Sequence, residues 1–198
     1  MAPIHDAVYR GDVEAVRREL AAGVSPDLIE GNSSPLKIAA DWQRVQITLL
    51  LIEAGADVDQ PVGIFTPLHV ACVHGCKATV AALLAAGAST SLLTETDIQK
   101  IRPIECAGAN DRHILWQLLR AGSPLPRSDR AKWMRPGSAA YNAAAIDYVN
   151  AVAAAGGYVA YEKAHRAKLS AIFAPKFTWV PAEVIPTIVE FWAHLGHA

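Results

Sequence analysis

Residues 66–90 read TPLHVACVHGCKATVAALLAAGAST: a short apolar segment, a glycine, a second apolar segment and another glycine. In the first segment Leu68, Ala71 and Cys72 recur at helical spacing, and in the second Val80, Leu83 and Leu84 do so,. Thr66 is suited to N-cap the first helix, and Pro67 to open it, where a missing N–H costs nothing. Gly75 and Gly87 supply the left-handed conformation that stops a helix and permits a tight turn. The pattern predicts a helix–turn–helix–loop unit. Alanine is abundant and alternating β-branched residues are nearly absent, so the whole chain reads as all-α,.

The same pattern recurs. SPLKIAADWQRVQITLLLIEAGADV (34–58) and APIHDAVYRGDVEAVRRELAAGVSP (2–26) align with it without a gap, at one constant offset that carries Pro67 onto Pro35 and Pro35 onto Pro3. RPIECAGANDRHILWQLLRAGSPL (102–125) follows after a longer connection, and RPGSAAYNAAAIDYVNAVAAAGGY (135–158) is a fainter fifth copy. Pro3, Pro35, Pro67, Pro103 and Pro136 share one column, and Gly23, Gly55, Gly87, Gly122 and Gly156 another. In the turn column Gly11 and Gly75 suit a left-handed residue and Asn110 tolerates it, whereas Gln43 does not. Small Ala39 and Ala71 let adjacent helices approach closely. One such unit cannot bury its apolar face alone, so the copies are expected to stack.

TPLHVAC…GC…VAALLAAGA and SPLKIAA…LLIEAGADVD resemble the ankyrin repeat, whose signature is T-P-L-H-x-A in a unit of ~33 residues. The resemblance covers residues 2–125 and, in the fifth copy, 126–158. It implies an ankyrin-repeat solenoid, L-shaped in section, with loops projecting beside a concave face of inner helices. It also implies that His5 and His69, which share a column, hydrogen-bond the helix start. Partners of the family are met by loop tips and by the two positions before the turn. These are Tyr9 and Arg10, Asp41 and Trp42, Val73 and His74; the residue before the Thr-Pro column adds Ser33, Phe65 and Ile101. Tyr, Trp, Phe and Arg together make a composition typical of binding hot spots. The plainer reading is that Trp42 and Phe65 shield neighbouring helices.

After the fourth copy, AGSPLPRSDRAKWMRPGS (121–138) reads as loop. Its cluster of Arg120, Arg127, Arg130, Lys132 and Arg135 is either a solvated connection or a contact for an acidic partner. Two amphipathic helices are predicted beyond it. The first carries a stripe of Val159, Leu169, Ile172 and Phe173, with Lys163, Arg166 and Lys168 facing outward. The second has Pro181 and Glu183 in its first turn, Pro186 as a potential kink, and a stripe of Val184, Ile185, Ile188, Val189 and Trp192. The expected layout is four repeats over 1–125, a basic loop with a degenerate fifth repeat over 126–158, and a C-terminal helical cap over 159–198. Solenoids need such an end. VPAEVIPTIVEFW is also similar to SOCS-box and F-box adaptor modules, although HRAKLSAIF before it lacks the expected cysteine. That resemblance implies a ubiquitin-ligase substrate adaptor, with the repeats reading the substrate.

His69, Cys72, His74 and Cys76 lie close enough in sequence to suggest a metal or thiol site, but tetrahedral ligation needs side chains aimed at one point. The repeat assigns each a separate column, so no metal and no cofactor are expected. Three cysteines in 198 residues argue against a disulfide framework and for a reducing, intracellular compartment,. The formal net charge of −1 gives no reason to expect nucleic acid or a membrane surface as partner,. Residues 1–100 hold seven Lys/Arg against twelve Asp/Glu, and 101–198 eleven against seven, a mild dipole. No signal peptide and no membrane-spanning run is read. No nucleophile–base pair, phosphate loop or Gly-rich nucleotide motif stands out, so the expectation is a monomeric, non-enzymatic scaffold for another protein.

Overall fold

The computed structural model describes residues 2–94, 100–107, 112–126, 139–176 and Ile185. The chain falls into two compact units, Met1–Gly137 and Ser138–Ala198. The first is a stack of helix pairs: α1 (Pro3–Arg10) with α2 (Val13–Ala21), α3 (Pro35–Asp41) with α4 (Val45–Glu53), α5 (Pro67–His74) with α6 (Lys77–Ala85), and α7 (Pro103–Cys106) with α8 (Arg112–Arg120). The first member of each pair packs on the next such helix in order, and so does the second. Two rows result, inner and outer, and the core lies between them.

The sequence columns become layers of that core. Ile4, Leu36, Leu68 and Ile104 are at most 1% exposed, one residue after the proline that opens each inner helix. Ala7, Ala39, Ala71 and Ala107 are equally buried, and their small side chains let the inner helices approach. From the outer row come Val16, Val80, Leu51, Leu83 and Leu118, all fully buried. The hydroxyls of Ser34 and Thr66 accept the amides of Lys37 and His69 at 3.3 and 3.4 Å, as N-caps should,.

The turn column adopts one backbone conformation whatever residue fills it. Gly11 and Gly75 have φ of 77° and 70°, and Gln43 has 54°, the sole positive φ of a non-glycine among the described residues. Gln43 therefore performs the glycine's task against the steric preference of its Cβ. Asn110 lies outside the described residues. Successive pairs are joined by loops whose tips are closed by antiparallel bridges, Glu30 with Ser33 and Val62 with Phe65. Gly31 and Gly63 supply the positive φ (60° and 68°) at the first central position of each tip,.

In the second unit α9 (Ala139–Ala154) packs against α10 (Tyr158–Phe173), which ends in a short 3-10 turn at Ala174–Lys176. Two expectations are corrected here. The fifth copy is no helix–turn–helix: α9 runs unbroken for 16 residues. Ala144 stands in the turn-glycine column, and alanine favours continuing a helix over the left-handed turn. The stripe expected on α10 is corrected at two positions, because Val159 is 79% and Ile172 46% exposed; Leu169 is half-buried, and the Phe173 side chain lies outside the described residues. The more covered positions are Tyr158, Tyr161, Glu162, His165, Arg166, Leu169 and Ser170. Tyr161 meets Tyr148 of α9 edge-to-face at 5.5 Å, and Arg166, expected outside, pairs with Glu162 at 2.6 Å. The covered face therefore joins aromatic Tyr158, Tyr161 and His165 to Leu169.

Of the second C-terminal helix, Ile185 is described and is buried; Val184, Ile188, Val189 and Trp192 lie outside the described residues. So do Arg127, Arg130, Lys132 and Arg135 of the basic cluster, while the Arg120 guanidinium sits 5.2 Å over the Trp116 ring. Among the described residues no helix is long and apolar enough to cross a membrane.

Candidate functional site

The position two residues after the opening proline ties each repeat to the next. His5 Nε2 donates to the Ser33 carbonyl at 3.2 Å, Lys37 Nζ to the Val62 carbonyl at 2.6 Å, and His69 Nε2 to the Ile101 carbonyl at 3.0 Å. Each acceptor lies in the loop leading into the following inner helix. His69 also uses its other nitrogen: Nδ1 accepts from the Thr66 hydroxyl at 2.7 Å and faces the Thr66 amide at 3.4 Å. Burial pushes the His69 imidazole below the usual histidine range, partly opposed by the Ile101 carbonyl, so the neutral ring is favoured,. In the fourth repeat Glu105 holds this position and caps the helix start, accepting the Arg102 amide at 2.9 Å.

A second ladder runs along the loops. Asp27 accepts the Asp57 amide at 2.8 Å, and one repeat later Asp59 accepts the Ser89 amide at 2.9 Å. Sequence reasoning found His5 and His69 but missed Lys37, Asp27 and Asp59. The repeat offset that aligned the prolines would have paired the two aspartates.

The His/Cys cluster of the third repeat diverges. His69 turns toward Thr66 and Ile101, and His74 Nε2 toward Asp41 Oδ1 at 2.7 Å. Cys72 is buried in the core, while Cys76 N-caps α6 and lies 3.0 Å from the Thr79 hydroxyl. Burial raises the Cys72 thiol well above the ordinary range and pushes Cys106 up to about 12, which disfavours the thiolate needed for reaction or ligation,. Among the described residues no three His, Cys, Asp or Glu side chains gather as a metal site.

The nine candidate binding residues divide by place. Tyr9 and Trp42, at the ends of α1 and α3, are 46% and 47% exposed and meet edge-to-face with ring centroids 4.6 Å apart. They border a cleft of about 430 Å³ that Ser33 and Asp41 also line, together with His5, Glu30, Gly31 and Ile38. His74 joins this group through Asp41, and exposed Val73 precedes it. Arg10 is exposed and paired with Asp6 at 2.5 Å. Phe65 and Ile101 stand apart from the cleft: Phe65 is half-buried beside the His69 ring at 6.0 Å, and half-buried Ile101 supplies the carbonyl that His69 holds. Apolar side chains also stand exposed at or near the loop tips, among them Leu28, Ile29 and Ile64.

Comparison with known proteins agrees with the architecture. Residues 4–94 match the family model described as ankyrin repeats in three copies. Over those residues the chain is built of ankyrin repeats, and the relatives are ankyrin repeat proteins. Human "Ankyrin repeat and SOCS box protein 11" is 41% identical over 71 residues, covering 35% of this chain and 22% of that protein. Human "Ankyrin repeat and SOCS box protein 16" is 34% identical over 141 residues, 66% of this chain and 31% of that protein. The chain thus spans less than a third of the length of these curated relatives. The crystal structure of the human ASB11 ankyrin repeat domain superposes with a TM-score of 0.56 at 30% identity, covering 64% of this chain and 57% of that one.

Proposed function

We propose that the repeats bind another protein through their concave face and loop tips, and that the chain is not itself an enzyme. Tyr9, Arg10, Ser33, Asp41, Trp42, Phe65, Val73, His74 and Ile101 mark that face. The observation that carries the reading is the half-exposed Tyr9–Trp42 pair beside an open cleft. Large aromatic side chains that a partner can desolvate contribute disproportionately to binding. We place the protein inside the cell as a monomer, with neither nucleic acid nor membrane as partner, and divide it into the repeat region (1–125), a connecting region (126–158) and a C-terminal helical element (159–198).

Affinity capture of partners with mass spectrometry tests this reading. Trp42→Ala should then weaken the captured partner at least about tenfold. The melting temperature should move little, because what is lost inside the fold is mainly one exposed ring contact. Lost stability with unchanged affinity per folded molecule would make Trp42 a packing residue.

A second reading is a ubiquitin-ligase substrate adaptor whose repeats select the substrate and whose residues 159–195 dock the ligase. It is favoured by the names of the relatives, which join ankyrin repeats to a SOCS box. Cullin-associated proteins in the same capture, lost on truncation at Tyr158, support it. Their absence leaves the plain scaffold.

A further inference from the structure

The turn between α3 and α4 is strained at one residue. Gln43 has φ 54° where Gly11 and Gly75, in the same column, have 77° and 70°. The repeat imposes that conformation but not glutamine, since a glycine takes it without steric cost. Inside the fold the side chain offsets none of this strain: it is exposed, and its amide makes no hydrogen bond among the described residues. Residues held in sparsely populated backbone conformations gather at binding and switch sites, where the strain accompanies function.

The same turn is held still, and it stands beside the aromatic wall of the cleft. Trp42, which precedes Gln43, lines the cleft and meets the Tyr9 ring. Arg44, which follows it, donates from Nη2 to the Tyr9 carbonyl at 3.4 Å. Its guanidinium passes close to Gly11, where an added Cβ would lie 2.8 Å from the Arg44 Cζ. Both neighbours of Gln43 are thus tied to one residue of the preceding repeat, so the turn is pre-organised. The charged groups around it are already engaged. Asp41 is held by His74 at 2.7 Å and attracted to Lys37, and Arg10 pairs with Asp6. The uncommitted polar group beside Trp42 is the neutral amide of Gln43.

We propose that Gln43 is a further partner-binding residue, and that with Trp42 it takes an extended peptide segment of the partner. Its amide pairs with a main-chain N–H and C=O of that segment, and an apolar side chain of the segment covers the Trp42 ring. The proposal rests on the concave-face reading and deepens it. A primary amide carries donors and an acceptor in one plane, the complement of a peptide group. A charged side chain would gain little there, because the opposite charges at hand are already paired. An extended segment offers main-chain groups at regular spacing and alternate side chains on one face, so it can meet amide and ring together. Glycine in this place would relieve the strain and present no such group, the recurrent exchange of stability for function at binding sites.

The test selects a random peptide library, displayed on phage, on the full chain; the enriched peptides are then synthesised and their affinities measured. Gln43→Met keeps the length of the side chain and the backbone strain but loses the amide, whereas Gln43→Gly loses the side chain altogether. Each should weaken the enriched peptides at least about fivefold. Gln43→Gly should at the same time melt about 2 °C higher than the wild-type chain. Peptides lost with Trp42→Ala yet bound equally by Gln43→Met or Gln43→Gly overturn the proposal and leave the concave-face reading standing. A Gln43→Gly chain that melts lower overturns it too, because the strain would then be offset inside the fold. No enrichment, or enriched peptides indifferent to Trp42→Ala, also overturns the extended segment as guest. Whether the concave-face reading falls as well is read from the captured protein partner, which Trp42→Ala must weaken for that reading to hold.

Discussion

The third repeat and the α9–α10 pair are both two helices with apolar faces, yet they are held in different ways. The third repeat has helices of 8 and 9 residues, a glycine at φ 70° between them, and a histidine that joins its own helix start to the next loop. The α9–α10 pair has helices of 16 residues each. Tyr148 of α9 meets Tyr161 of α10 edge-to-face, and within α10 Tyr161 stacks on His165 at 5.7 Å and Arg166 pairs with Glu162. Short helices are marginal in water by themselves and draw their stability from packing. In the repeats α2, α3 and α5 are capped at their starts by the side chains of Asp12, Ser34 and Thr66, and α1, α3 and α5 end in a left-handed turn at Gly11, Gln43 and Gly75. A long alanine-rich helix depends less on such clamps.

This contrast breaks first in the core. Leu68→Ala removes a fully buried side chain of α5 and should cost about 2–5 kcal/mol in chemical denaturation,. Leu169→Ala in α10, half-buried, should cost about 1 kcal/mol or less,. Equal costs would mean that the second unit is packed as tightly as the repeats.

The turns sharpen it next. Gly75→Ala places a Cβ on a residue at φ 70° and should cost about 1–2 kcal/mol,. Gln43→Gly relieves the same strain at φ 54° and should gain about 0.5–1 kcal/mol, part of the relief being offset by the greater freedom of glycine in the unfolded chain,. A Gln43→Gly protein that melts lower would show that the glutamine side chain contributes more than its backbone costs.

The smallest expected effect is on pH dependence. Burial depresses the proton affinity of His69 in the folded state, so the unfolded chain takes up that proton first as pH falls,. The stability held by neutral His69 is fully present above about pH 6.5, the ordinary histidine value, and is lost as pH falls from there toward the lower folded-state value. His69→Gln, which retains a donor for the Ile101 carbonyl, should flatten this part of a stability–pH curve measured between pH 7 and 5. An unchanged slope would assign the dependence to other groups.

Much of the repeat region was legible because its restraints are local. A proline that opens a helix, a hydroxyl that caps it and a glycine that ends it act within a few residues, so columns of Pro35, Ser34 and Gly75 already determined where inner helices begin and turn. The constant offset between copies then placed Leu36 and Leu68 in one layer. The same logic misled where a column held the wrong letter. Ala144 in the turn column let α9 continue, and Gln43 took a left-handed conformation because the flanking helices, each packed on its neighbours, left no other path for the chain.

What the sequence by itself determined is thus the helix pairs, their order and the residues that seal them. The tertiary structure alone decided which side chains meet across repeats: Lys37 on the Val62 carbonyl, Tyr9 on Trp42, and the carboxylates of Glu30 and Asp41 around one cleft. The physical reason is distance along the chain. Those partners belong to different repeats or to different elements, so no local propensity records them. They come together only when stacking buries the apolar faces between adjacent repeats.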